Sequence, residues 1–197
     1  MNSDILRRQI LLQSYGFNPG PLDGIDGPKT RAALVAYFST KPRVLKGDGS
    51  WGWEVEIVGD DLVIRAARAT CFGGSNDPQD SGATASGIST KQNPNLQAVS
   101  LPMDGRFFPG MSKAEHAALD GSPIPRLPWK TLVRVTNDDH HSGIFPVIDL
   151  GPGKRTGNKV DLTVAAARTY DSGATATRFE MKNCTVTIIG GAKYAIP

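Results

Sequence analysis

The 197-residue chain has little cysteine, little histidine, no long apolar run and no strong excess of charge of either sign. Two cysteines, Cys71 and Cys184, are too few for a disulfide framework, and their spacing matches no zinc motif. Two buried free thiols are the expectation, with pairing left open because both sit on candidate strands of one domain. No stretch reaches the roughly 18 consecutive apolar residues of a membrane span, so stable membrane insertion is not expected. The opening "MNSDILRRQILLQSYG" lacks an uninterrupted apolar core before a small-residue cleavage site. It does not read as a secretory signal, and synthesis in the cytoplasm without an export signal is expected. The formal net charge of +3 falls within residues 1–50, where seven Lys or Arg face four Asp or Glu; the remainder carries fifteen of each. That bias suits an anionic polymer surface but falls short of the basic stripe of a nucleic-acid binder.

What is present is the composition of a compact protein, with 39% hydrophobic residues and length for one ordinary domain plus a small companion. In residues 4–15, Ile5, Leu6, Gln9, Ile10 and Leu12 recur at helical spacing, with Asn2, Ser3 or Asp4 available as cap. "GFNPGPLDGIDGPKT" is turn chemistry, and Pro28 suits the first position of a second helix through Ala32, Ala33 and Leu34 to Phe38. Breakers in residues 40–50 place the domain boundary, giving a helical module over 1–42, a linker with leading strands over 43–65 and a mostly β domain over 66–197. The runs "WEVEIV", "LVIRAARAT", "TLVRVTN", "GIFPVID" and "CTVTIIGG" predict strands. Between them, "SKAEHAALDG" predicts a helix with a Ser112–Glu115 capping box ending at Gly121, and Thr163 is the predicted cap of a short helix over "VAAARTY".

Two resemblances follow from ordered series of residues. The first module resembles the bacterial peptidoglycan-binding domain, a small three-helix fold, through Leu12, Tyr15, Gly16 and Phe17, then Asp23 and Gly24, then Gly27, Pro28, Thr30, Ala33 and Phe38. The resemblance implies a sugar-peptide groove beside the loop, with Tyr15, Phe17 and Asp23 as candidate substrate contacts; the alternative is that such residues only shape the loop. The second module resembles the six-stranded double-psi β-barrel of rare lipoprotein A, of some lytic transglycosylases, of cell-wall-acting "3D" proteins and of expansins. Its carriers are "ATCFGG" from Ala69, "TASG" from Thr84 to Gly87, "LPWKT" from Leu127, "VRVTN" from Val133, "DLGP" from Asp149 and "VDLTVAAA" from Val160. Two departures stand out. The position after "TASG", acidic in rare lipoprotein A, is Ile88, and the position after "AV", an aspartate in 3D proteins, is Ser100. An insertion between Ser100 and Leu127 carries the capped helix and is placed to reshape one wall of the groove.

The fold expected is therefore α+β, a three-helix module followed by a double-psi barrel with short helices. The resemblance implies a monomeric, cofactor-free peptidoglycan-degrading enzyme that cuts between N-acetylmuramic acid and N-acetylglucosamine. Without an export signal it fits a phage endolysin released by a separate lysis system, or a phage-particle component. Inverting hydrolysis needs two carboxylates roughly 6.5 to 9.5 Å apart. A lytic transglycosylase needs one, because the muramic acid 6-hydroxyl can itself attack. The resemblance implies Asp149 as the general acid/base, with Asp161 either tuning it or accepting the free N–H groups of the following helix. Thr84, Ser86 and Gly151 are candidate substrate-binding positions, with turn hydrogen bonding the alternative use of the two hydroxyls. "NDDHHSG", from Asn137 to Gly143, crowds two Asp and two His, yet between two strand signals it reads as a hairpin turn, and no metal is expected. Trp51, Trp53 and Trp129 either stack on sugars or pack. The competing reading is an expansin-like wall binder that does not cut, favoured by Ile88 and Ser100.

Overall fold

The structure, a computed structural model, describes residues 2–14, 16–40, 44–73, 77, 81–108 and 110–195, with the backbone alone for 38–40. The chain divides into two compact units, Met1–Val44 with Ala195–Pro197, and Leu45–Tyr194. The division falls beside the boundary expected at residue 42. Among the described residues, no helix is long and apolar enough to cross a membrane.

The first unit holds two α-helices among its described residues, α1 (Ser3–Ser14) and α2 (Pro28–Thr40). Asn2 caps α1, its Oδ1 accepting from the N–H groups of Asp4 at 3.0 Å and Ile5 at 3.3 Å. Proline starts α2, where its missing N–H costs nothing. Leu12, Ala33 and Tyr37 form the buried centre, with Leu11, Phe17 and Leu34 packed around it. So small an apolar core needs help from polar groups. Gln9, only 1% exposed, supplies it. Its Nε2 donates to Asp23 Oδ1, Ile25 O and Thr30 Oγ1 at 3.0–3.1 Å, and its Oε1 accepts from Gly24 N at 2.9 Å. One buried amide thereby ties α1 to the turn-rich loop and to α2.

The second unit is built on eight strands: β1 (Val44–Lys46), β2 (Glu54–Val58), β3 (Asp61–Phe72), β4 (Val99–Leu101), β5 (Leu132–Thr136), β6 (Ser142–Leu150), β7 (Val160–Thr163) and β8 (Glu180–Ile188). Their order is β1-β2-β3-β7-β4-β6-β5-β8, and a β3–β8 pairing closes the last six into a barrel. Two pairs are parallel, β3 with β7 and β4 with β6. The barrel begins at Asp61, ahead of the expected residue 66. Its long first strand makes closure possible. β3 pairs with β2 near its start and with β7 at its end, and register shifts against β8 lie on either side of Ala67. Ala66 and Asn183 take positive φ at 46° and 55°, the irregularity that bends a strand round a barrel corner. Alternation fills the interior: Val133 and Val135 are fully buried while Leu132 is 48% exposed.

The insertion forms α3 (Lys113–Leu119) with the expected capping box, Ser112 and Glu115 each bonding the other's backbone N–H. Gly121 ends it at φ 74°, where a Cβ would collide with Asp48. Trp51 is 5% exposed and donates its indole N–H to Asp120 O at 3.1 Å, so it anchors the insertion. Thr163 caps α4 (Val164–Ala167) as expected.

Candidate active site

Asp149 stands near the end of β6, and its carboxylate is fixed by backbone. Oδ1 accepts from Ala85 N at 2.8 Å and Leu150 N at 2.9 Å, while Ser86 N donates to Ile148 O at 3.1 Å. The "TASG" loop is thus laid along the strand end. The amide of Ala85 is how this loop reaches Oδ1 of Asp149. Thr84, a buried residue, donates its hydroxyl to Ile88 O at 2.7 Å and lies 3.0 Å from Ser86 Oγ, which is the turn-forming use of these side chains.

β4 lies between β6 and β7, and Ser100 is paired with Asp149 on one side and Asp161 on the other. Asp161 is in turn paired with Thr70 on β3. Residues opposite one another in a sheet share a face, so Asp149, Ser100, Asp161 and Thr70 form one row across four strands. Two interstrand spacings put the Cα atoms of the two aspartates about 10 Å apart. Ser100 donates its hydroxyl to Gly151 O, 2.8 Å away. Gly151 has φ 126°, and a Cβ there would lie 3.3 Å from Ser100 Oγ, so glycine lets the chain turn close over the row.

A groove of about 660 Å³ opens beside this row, lined by Asp149, Ser100, Gly151, Asp161, Cys71 and Asp77 among others. No lysine or arginine is among its described lining residues. Asp161 is largely desolvated, which raises its pKa above the ordinary carboxylate value against the lowering effect of a hydrogen bond from the Thr70 hydroxyl. Burial also pushes the Cys71 thiol up to about 12, with the charges of Asp161 and Asp77 adding to it. Of the two uses open to Asp161 in the sequence, tuning Asp149 or accepting N–H groups of the following helix, the second is taken at the start of α4 by another residue. Thr163 Oγ1 accepts the Ala166 N–H at the start of α4, and the Asp161 carboxylate turns across the sheet to Thr70.

Asp77 escaped the sequence reading because a lone acid in a glycine-rich loop carries no periodic signal. It folds back so that Oδ2 accepts from Gly73 N at 3.1 Å. Thr84, Ser86 and Ile88 are not among the described groove-lining residues. In the helical unit, Phe17 packs edge-on against Tyr37 with ring centres 5.6 Å apart. Asp23 accepts from Gln9 and from Ile25 N, which hold its carboxylate below the usual range. Both therefore have structural occupations, and Tyr15 lies outside the described residues. The insertion reaches the groove's surroundings, since a Cβ on Gly153 would lie 3.2 Å from Ala118 of α3.

The histidine-rich segment is a hairpin turn, with Asn137 N bonded to His141 O and His140 N to Asn137 O, both at 3.0 Å. Among the described residues, no group of three or more metal-ligating side chains converges. Both thiols are free and buried. Cys184 faces Ala67, four residues from Cys71 along β3, a separation of about 13 Å at strand rise and too far for a disulfide. Trp53 packs against Trp51 at 5.7 Å and Trp129 against Phe108 at 5.9 Å. No known protein-family model matches the chain, and no curated protein matches it either.

Proposed function

We propose that the protein cleaves the glycan strand of bacterial peptidoglycan between N-acetylmuramic acid and N-acetylglucosamine, as a lytic transglycosylase. The barrel groove is the cutting site, and the helical unit, read as a peptidoglycan-binding domain although its described residues form two helices where three were expected, is the part that holds the wall. The interleaved strand order with two parallel pairs supports reading the barrel as double-psi. The observation that carries the reaction is the row of Asp149 and Asp161 along one groove, the first held by two backbone amides and the second desolvated.

The resemblance implies Asp149 as the general acid/base. The environments favour dividing the work, because a desolvated carboxyl keeps a proton that a glycosidic oxygen can take. In this scheme Asp161 gives its proton to the leaving oxygen as the bond to C1 breaks. The muramic acid 6-hydroxyl then attacks C1 and returns a proton to Asp161, leaving a 1,6-anhydro end. Asp149 stabilises the positive charge that develops at C1. The enzyme would act in the periplasm or cell wall after phage-assisted release, or from a phage particle, as a monomer on peptidoglycan.

Asp77 favours a second reading, because another carboxylate on the same groove is what a two-carboxylate muramidase would use to activate water. Mass spectrometry of fragments released from purified sacculi separates the readings. Anhydromuropeptides from the wild type and a strong loss with Asp149→Asn are expected; reducing ends would establish hydrolysis. No release by the wild type would leave the non-cutting, expansin-like binder.

A further inference from the structure

Behind the groove, the Thr70 hydroxyl has two partners. It donates to Asp161 Oδ1, and it accepts from Asn158 Nδ2 at 2.8 Å. A threonine hydroxyl has one proton, so the second contact sets where that proton goes. Asn158 sits just before β7, its own N–H held by Thr156 Oγ1 at 3.1 Å. Its Oδ1 is buried with no hydrogen-bond partner among the described residues. Leaving a buried acceptor unpaired is costly, and native structures seldom do so without a reason. Turned over, the amide would present Oδ1 to Thr70 and draw the hydroxyl proton away from Asp161. The orientation present does the reverse.

We propose that Asn158 is a positioning residue of this site: through Thr70 it directs the hydroxyl proton onto Asp161, orienting that carboxyl and stabilising the charge left when its proton departs. The inference rests on the reading of Asp161 as proton donor. Each hydrogen bond in such a chain polarises the next, so Asn158 strengthens the Thr70–Asp161 bond most when Asp161 is ionised. The other groups around Asp161 do not substitute for it. From β3, Cys71 stays a neutral thiol; from β4 comes Ser100; the side chains of Asp149 and Asp77 line the same groove. On the far side of Thr70, Glu180 is paired with Arg68 at 2.7 Å, and Lys159 Nζ donates to the Arg65 and Ala66 carbonyls.

The test is a carboxyl-carbon NMR titration of Asp161 in the full chain, which needs no substrate. Removing a donor to the charged form raises the midpoint, so Thr70→Val is expected to move it up by on the order of one pH unit and Asn158→Leu by roughly half as much. Thr70→Ser should restore the wild-type midpoint. In the wild type the Asn158 side-chain amide proton should titrate with the same midpoint as Asp161, a measurement that stands whether or not a variant folds. An unmoved midpoint in folded Asn158→Leu, or an Asn158 amide blind to the titration, would overturn the proposal. A purely structural Asn158 would lower the melting temperature and leave the midpoint alone. Sacculi left uncut while the midpoint moves would defeat the glycan-cleaving reading and not this one.

Discussion

Asp23 and Asp161 are the same residue in opposite circumstances. The Asp23 carboxylate lies at the surface of the helical unit, where the Gln9 amide and the Ile25 N–H favour its charged form. The Asp161 carboxyl is desolvated beside a groove, where burial favours the neutral form and one hydroxyl opposes it. The first arrangement stabilises a loop and leaves a group that gives up its proton early. The second keeps a group that can deliver one. Sequence motifs mark both residues equally, and the environment separates their uses.

The largest effect on the helical side of this comparison comes from Gln9 rather than from Asp23. Gln9→Ala strands the Gly24 N–H and removes a partner from Asp23, Ile25 O and Thr30. It should cost about 1–3 kcal/mol, read as earlier thermal or denaturant unfolding of the helical unit. An unchanged transition would mean that the loop is held by its prolines and glycines alone.

The next effect has the opposite sign. Asp161 has a folded pKa above its ordinary value of 3.8, so its neutral form is favoured in the native state. That contribution is fully present below pH 3.8 and is lost as pH rises through the folded midpoint. At neutral pH the unfolded chain releases this proton more readily than the native protein does, which favours unfolding, and Asp161→Asn should melt higher than the wild type. The gap should close as the pH is taken below 3.8. A variant that melts lower at neutral pH would show that the Thr70 bond outweighs desolvation.

The smallest effect is that of Asp23→Asn. Its folded pKa is lowered, so its contribution is present above 3.8 and is lost as pH falls through the folded midpoint. The variant should melt slightly below the wild type at neutral pH and match it in acid. Opposite signs for the two substitutions across one pH series would sharpen the contrast; equal signs would break it.

Features encoded within a few residues were legible in the sequence. Pro28 marks the start of α2, Ser112 and Glu115 the start of α3, and Thr163 that of α4, because caps are local chemistry. The longer strands β2, β3, β5, β6 and β8 showed in their β-rich composition. β4, three residues long, is too short to show a period and was not singled out, although it places Ser100 between the two aspartates. The same limit applies to partners remote in sequence. Gln9 was seen only as part of the α1 stripe, and its hydrogen bonds depend on where residues 23–30 fold. Thr70 was visible as a motif residue, but its links to Asp161 and Asn158 exist only once β3 and β7 pair in parallel. Asp77 offers no signal in the sequence, and its contact with Gly73 N appears only in the structure.

The most direct test sets the two aspartates against each other in one assay, the release of anhydromuropeptides from purified sacculi by Asp161→Asn and Asp23→Asn at equal protein concentration. Loss of the acid should reduce release by Asp161→Asn by about 10²-fold or more, while Asp23→Asn retains the cutting chemistry. Release by Asp161→Asn at the wild-type rate would contradict the assignment of the groove row as the reacting centre.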